Sequence, residues 1–266
     1  MTSGHFTHAR TFGHGAREAL AIHCTLAHAG AWRGVGKALE DCVTLTAIDL
    51  PGHGKSDDWD GTVDLHDLCM MAARTHLPTR RDVIGHSFGA TVALRLAVEH
   101  PERVRSLTLI EPVFFAAAIK DTPERMQAHE VEAEPYFTAL SAGDTAKAAR
   151  LFNRFWGDGT KWDEMPETTR RYLADRMYVV PGQSPVIIDD AAGLMTPGRL
   201  ERAAMPCLLI EGDQTADIIC AVNASLARRL PNARRAIIAG AGHMSPITHP
   251  GAVAQEIAAL LEVAEE

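Results

Sequence analysis

The chain has 266 residues, 46% of them hydrophobic and 23% charged, with a formal net charge of −8. That length suits one large α/β domain with a substantial core, and the negative balance argues against nucleic acid or an anionic membrane surface as the partner. Five cysteines (Cys24, Cys42, Cys69, Cys207 and Cys220) form an odd set without framework spacing, so buried free thiols in a reducing compartment are expected. No apolar run approaches transmembrane length and the segment Met1 to His8 lacks the apolar core of a signal peptide, so the expectation is a soluble, cytoplasmic protein.

Taken in order, residues 5–12 give only a weak strand signal. Glu18 to Cys24 reads as a strand, Trp32 to Leu39 as a short helix, and Val43 to Ile48 as a β-rich run. Between Asp64 and His76, the residues Leu65, Leu68, Cys69 and Ala72 recur at helical spacing. The apolar run Asp82-Val83-Ile84 then leads into Gly85-His86-Ser87-Phe88-Gly89, a long helical pattern to His100, and a strand from Val104 to Ile110. Strands alternating with helices imply a mostly parallel sheet with helices on both faces.

From Val113 to Leu200 this rhythm breaks. The stretch is helical and polar, is punctuated by Pro123, Pro135, Pro166 and Pro181 among others, and holds ten of the fifteen aromatic residues. Some of these rings are expected to fill a small core of the insertion itself, and others to roof an apolar pocket. The sheet resumes at Cys207 to Ile210, followed by a helix from Ile218 to Leu230, a strand from Arg234 to Ile238 and a closing helix from Pro250 to Leu261. The expected organisation is a core built from residues 1–112 and 201–266, with residues 113–200 as a helical cap or lid.

Strand, Gly-x-Ser-x-Gly, helix is the context of a nucleophile elbow, in which a sharp turn lifts a serine hydroxyl off the sheet and aims a helix N-terminus at its target. Ser87 is therefore the candidate nucleophile. It needs a base, and of thirteen histidines His243 stands out, because its loop Gly240-Ala241-Gly242-His243 follows the last strand at the carboxyl edge of the sheet. His86 points away from the nucleophile and reads as structural. The oxyanion formed on attack needs two fixed N–H donors; the backbone of Phe88 supplies one, and Thr25, after the strand ending at His23-Cys24, is the candidate for the other.

Together these segments resemble the α/β-hydrolase fold family: His23-Cys24-Thr25 to Trp32, Asp49-Leu50-Pro51-Gly52-His53-Gly54-Lys55-Ser56, the serine elbow, Leu208-Leu209-Ile210-Glu211-Gly212, and Gly240 to His243. The resemblance spans nearly the whole chain except the insertion, and it implies Ser–acid–His hydrolysis with neither metal nor organic cofactor. There are two departures. Cys24 replaces the glycine that usually precedes the oxyanion loop. The family's acid commonly lies three residues after Leu-Leu-Ile-x-Gly, and that position holds Thr215, a neutral hydroxyl that cannot stabilise an imidazolium as a carboxylate does. Some members carry the acid at the end of the preceding strand, where this chain has Ile110-Glu111-Pro112. Asp213 and Asp217 are the alternatives, Asp217 fitting better as a helix N-cap. Glu111 is the favoured acid.

Gly52-His53-Gly54-Lys55-Ser56 imitates the end of a phosphate loop, but the required first glycine is Asp49 and an acidic turn follows. No Cys-x-x-Cys or His-Glu-x-x-His pairing suggests a metal. The expected activity is hydrolysis of a carboxylic ester or related acyl bond in a small, partly apolar or aromatic substrate. Carbon–carbon, lactone and thioester hydrolysis, cofactor-free perhydrolysis, and a non-catalytic receptor on the same fold are the alternatives. A haloalkane dehalogenase would need a carboxylate where Ser87 stands.

Overall fold

In a computed structural model that describes residues 5–264, seven strands form one sheet: β1 (Ala9–Phe12), β2 (Arg17–Ile22), β3 (Val43–Ile48), β4 (Arg81–His86), β5 (Val104–Ile110), β6 (Cys207–Gly212) and β7 (Ala233–Ile238). Met1 to Gly4, Glu265 and Glu266, assigned above to the core and in part to the search for a leader, lie outside the described residues. The spatial order is β1-β3-β2-β4-β5-β6-β7, and every neighbouring pair is parallel except β1 with β3. The weak signal over residues 5–12 has a physical cause: β1 is a four-residue edge strand with little apolar patterning.

Alternation along the strands builds two cores. Leu20, Ile22, Val83, Leu107 and Leu109 face one side, packed with α2 (Leu65–Thr75), α3 (Phe88–Glu99) and α9 (Asp217–Ala227). Ala19, Ala21, Ile84, Ile110 and Ile210 face the other, covered by α1 (Arg33–Ala38) and α11 (Pro250–Val263). A short helix, α10 (Ser245–Thr248), links the last strand's loop to α11.

Between β5 and β6 the chain forms α4 (Phe115–Asp121), α5 (Pro123–Ser141), α6 (Thr145–Trp156), α7 (Glu167–Asp175) and α8 (Ser184–Ile187). Helix α4 packs on α9 of the sheet layer, tied by Ser225 Oγ donating to the Ala117 carbonyl at 3.0 Å. Pro135, which reads as punctuation in the sequence, lies inside α5 without ending it; it sits on the exposed side, where losing one backbone N–H is most easily tolerated. No helix among the described residues is long and apolar enough to cross a membrane.

The sheet order reverses direction at β2, with β3 on one side and β4 on the other. Ligands of open parallel sheets bind in the crevice beyond the carboxyl ends of the strands at such a reversal. The loops that leave β2 and β4 there are Cys24–Thr25 and Ser87.

Candidate active site

The elbow forms because its neighbours lack side chains. A Cβ on Gly85 would lie 2.4 Å from the Gly89 carbonyl oxygen, and one on Gly89 would lie 2.4 Å from the carbonyl oxygens of both Ile22 and His23. Ser87 itself takes φ 55° and ψ −117°, while its N–H still donates to the Ile110 carbonyl at 2.8 Å. This left-handed residue is strained and is held by the ladder on one side and α3 on the other. The adjacent strand repeats the device. Glu111 has φ 51° directly after β5, and its N–H donates to the Ile210 carbonyl at 2.8 Å. Two neighbouring strands thus end in the same kind of sharp turn at the same edge, each presenting a polar side chain.

His243 joins the two turns. Its Nε2 lies 2.9 Å from Ser87 Oγ, and its Nδ1 lies 3.2 Å from Glu111 Oε2. All three side chains are buried. Glu111 Oε1 accepts the Gly212 N–H at 2.6 Å, and Oε2 accepts the Thr215 hydroxyl. Thr215, at the position where the family commonly carries its acid, thus bonds the carboxylate that faces His243. Asp213 instead accepts the Gly240 N–H at 2.8 Å, bracing the turn that leads to His243. Asp217 is not an N-cap: Ala216 occupies that position, and Asp217 opens α9 with an exposed side chain 3.9 Å from Arg125. His86 Nε2 donates to the His243 carbonyl at 2.8 Å. Burial, and next the facing His243, push the His86 imidazole down to about 3, so this ring is a neutral brace.

The candidate oxyanion donors lie on either side. Neither the Thr25 nor the Phe88 backbone N–H has a protein acceptor among the described residues. Phe88 is the first residue of α3, where the N–H points out of the helix unbonded. Leu26 takes φ 61°, turning the chain sharply just after Thr25. The Thr25 hydroxyl donates to Gln183 Oε1 at 3.0 Å, which ties this loop to the insertion.

The described residues 19–256 match the family model of the alpha/beta hydrolase family. The chain belongs to that family. It is a hydrolase of the carboxylesterase-like kind. It is 30% identical over 253 residues to the pimeloyl-[acyl-carrier protein] methyl ester esterase of Nitrosomonas europaea, spanning 91% of this chain and 94% of that one. Among solved structures, carboxylesterase CesB from Bacillus subtilis superposes with a TM-score of 0.71 at 20% identity, covering 98% of this chain and 89% of its own. MenH from S. aureus also gives 0.71, at 16% identity over 97% and 99% of the two chains. At these identities the two structures attest the fold.

In this alpha/beta hydrolase a cavity of about 380 Å³ opens above Ser87 and His243. Five of the insertion's ten aromatic residues line it: Phe115, Tyr136, Phe137, Phe152 and Trp156. Of the others, Phe114 packs in the main core and Tyr178 stacks on Trp59, which lies outside the insertion. The Trp156 ring packs against His243, its centroid 4.5 Å from that of the imidazole. Two lining residues escaped sequence reasoning altogether, His129 on α5 and Gln183 before α8. Both are almost fully buried, and each has a nitrogen, His129 Nδ1 and Gln183 Nε2, with no hydrogen-bond partner. Nothing in the sequence marks them: His129 sits in a helix with little apolar periodicity, and Gln183 in a short turn after Pro181. Among the described residues no cluster of side chains could hold a metal ion.

Proposed function

We propose that the protein hydrolyses carboxylic esters of small, partly apolar substrates through an acyl-enzyme on Ser87. Ser87 Oγ attacks the ester carbonyl as His243 Nε2 takes its proton, and the Phe88 and Thr25 N–H groups receive the oxyanion. His243 returns the proton to the departing alcohol. Water, deprotonated by the same imidazole, then attacks the acyl group and frees the acid. Glu111 keeps the Nδ1 proton facing it and stabilises the imidazolium, with Gly212 and Thr215 fixing the carboxylate. The residues 113–200 serve as the cap that walls the acyl pocket.

The observation that carries this reading is the unbroken hydrogen-bonded line from Glu111 through His243 to Ser87, at 3.2 and 2.9 Å, at the floor of the cavity. The Nitrosomonas relative is named for a methyl ester, and a small ester with an apolar acyl part suits this cavity's size and apolar walls. The buried free thiols of Cys24, Cys69 and Cys207 suit a reducing compartment such as the cytoplasm. Ser87→Ala should lower turnover of p-nitrophenyl acetate by several orders of magnitude; unchanged turnover would refute the assignment.

A further inference from the structure

The cavity wall holds one feature that the hydrolytic steps leave unused. His129 is 4% exposed, lines the cavity, and is packed among Phe115, Phe155 and Trp156 with ring centroids 4.8, 5.5 and 5.5 Å away. Neither of its nitrogens has a hydrogen-bond partner among the described residues; Nδ1 is shielded from solvent, which leaves Nε2 as the nitrogen a ligand in the cavity can reach. A phenylalanine or leucine would fill such an aromatic niche without the penalty of an unpaired buried polar group. Burial alone pushes this imidazole down to about 4, so it is neutral at ordinary pH and offers one N–H and one lone pair.

We infer that the cavity takes acyl groups bearing a second, uncharged oxygen, a keto or hydroxyl group, and that His129 hydrogen-bonds this oxygen. The inference rests on the ester-hydrolase reading and specifies its substrate. Charge and position set the class. Among the described residues no lysine or arginine lines the cavity, and its acidic neighbours are Glu130 and Glu134, so a terminal carboxylate or phosphate meets no counter-ion from them. The neutral imidazole suits a neutral oxygen. The Trp156 ring centroid lies 5.5 Å from that of His129 and 4.5 Å from that of His243, so one acyl chain of moderate length can span the two imidazoles. Gln183 also lines this cavity, but its Oε1 already accepts the Thr25 hydroxyl at 3.0 Å, whereas His129 has no partner among the described residues.

Two paired measurements test this. In the first, p-nitrophenyl 5-oxohexanoate and p-nitrophenyl hexanoate are compared by kcat/KM. The protein should favour the oxo ester by about ten-fold or more, and His129→Phe should bring the ratio close to one. In the second, calorimetry on Ser87→Ala protein compares methyl 5-oxohexanoate with methyl hexanoate, with and without His129→Phe. Tighter binding of the oxo ester that vanishes with the ring nitrogens supports the inference whether or not hydrolysis occurs. Equal handling of the two esters by the parent protein, or a preference that survives in folded His129→Phe protein, would overturn it. His129→Gln, which keeps a hydrogen-bonding group, should retain part of the preference and serves if the phenylalanine variant does not fold. Hydrolysis of both esters without preference leaves the ester-hydrolase reading standing and removes this one; preferential binding without hydrolysis does the reverse.

Discussion

Replacing Glu111 with glutamine tests the acid assignment most sharply, because the surrounding bonds dictate which way the amide turns. Glu111 Oε1 accepts the Gly212 N–H at 2.6 Å, so a glutamine must place its carbonyl oxygen there to avoid facing donor with donor. Its NH₂ group then points at His243 Nδ1, where the carboxylate oxygen lay at 3.2 Å. An amide donor there accepts no Nδ1 proton, so the imidazole is driven into the tautomer that carries its proton on Nε2 and cannot take one from Ser87. In serine proteases the same acid-to-amide change lowers turnover about 10⁴-fold, which corresponds to about 5.5 kcal/mol of transition-state stabilisation. We expect a loss of about 10³ to 10⁴-fold in kcat on p-nitrophenyl acetate, with KM little changed and the melting temperature checked in parallel. Adding Thr215→Asp should restore part of the rate, because Thr215 Oγ1 already contacts the carboxylate it would replace. A loss below about ten-fold in Glu111→Gln, with Asp213→Asn or Asp217→Asn crippling the enzyme instead, would refute the assignment.

Other outcomes follow from the same geometry. Burial pushes the imidazoles of His23, His66 and His86 down to about 3, and those of His53 and His129 to about 4. The unfolded chain takes up these protons near pH 6.5, so stability is complete above that value and falls as the pH drops towards 4, by up to about 1.4 kcal/mol per pH unit for each ring; a denaturation midpoint that stays flat over this range would contradict it. Gly89→Ala should destabilise the fold by about 1–3 kcal/mol or more and abolish activity, since its Cβ would collide with two carbonyl oxygens of the β2 turn at 2.4 Å; wild-type melting and turnover would show the elbow to be looser than described. Trp156→Ala should enlarge the cavity beside His243 and move the preferred acyl chain towards greater length, read from rates on a graded series of p-nitrophenyl esters; an unmoved optimum would place the acyl group elsewhere.

What the sequence made legible were features that depend on near neighbours. Val43 to Ile48 and Val104 to Ile110 coincide with β3 and β5, because β-branched and leucine-rich runs between turn signals have few alternatives. The turn at Ser87 was readable because the elbow demands small residues at fixed spacing, and the place of Glu111 at the same sheet edge because it directly follows an apolar strand. What depends on distant partners stayed hidden. Thr215 meets Glu111 from 104 positions away, and only the fold shows its hydroxyl bonded to that carboxylate. Asp217 resembled a cap, but Ala216 is the extended residue before the helix, which puts Asp217 one step inside α9. Glu18 to Cys24 read as one strand, yet pairing stops at Ile22, where the chain leaves the ladder towards Thr25. The four-residue α10 is too short to show periodicity. His129 and Gln183 matter through what they fail to bond, and no pattern along a chain reports that.

The most direct measurement is mass spectrometry of the protein after reaction with a fluorophosphonate. We predict one adduct per chain on the peptide containing Ser87, formed in step with loss of esterase activity and absent from both Ser87→Ala and unfolded protein. An adduct on any other residue, or full esterase activity remaining once Ser87 is stoichiometrically labelled, would contradict the account.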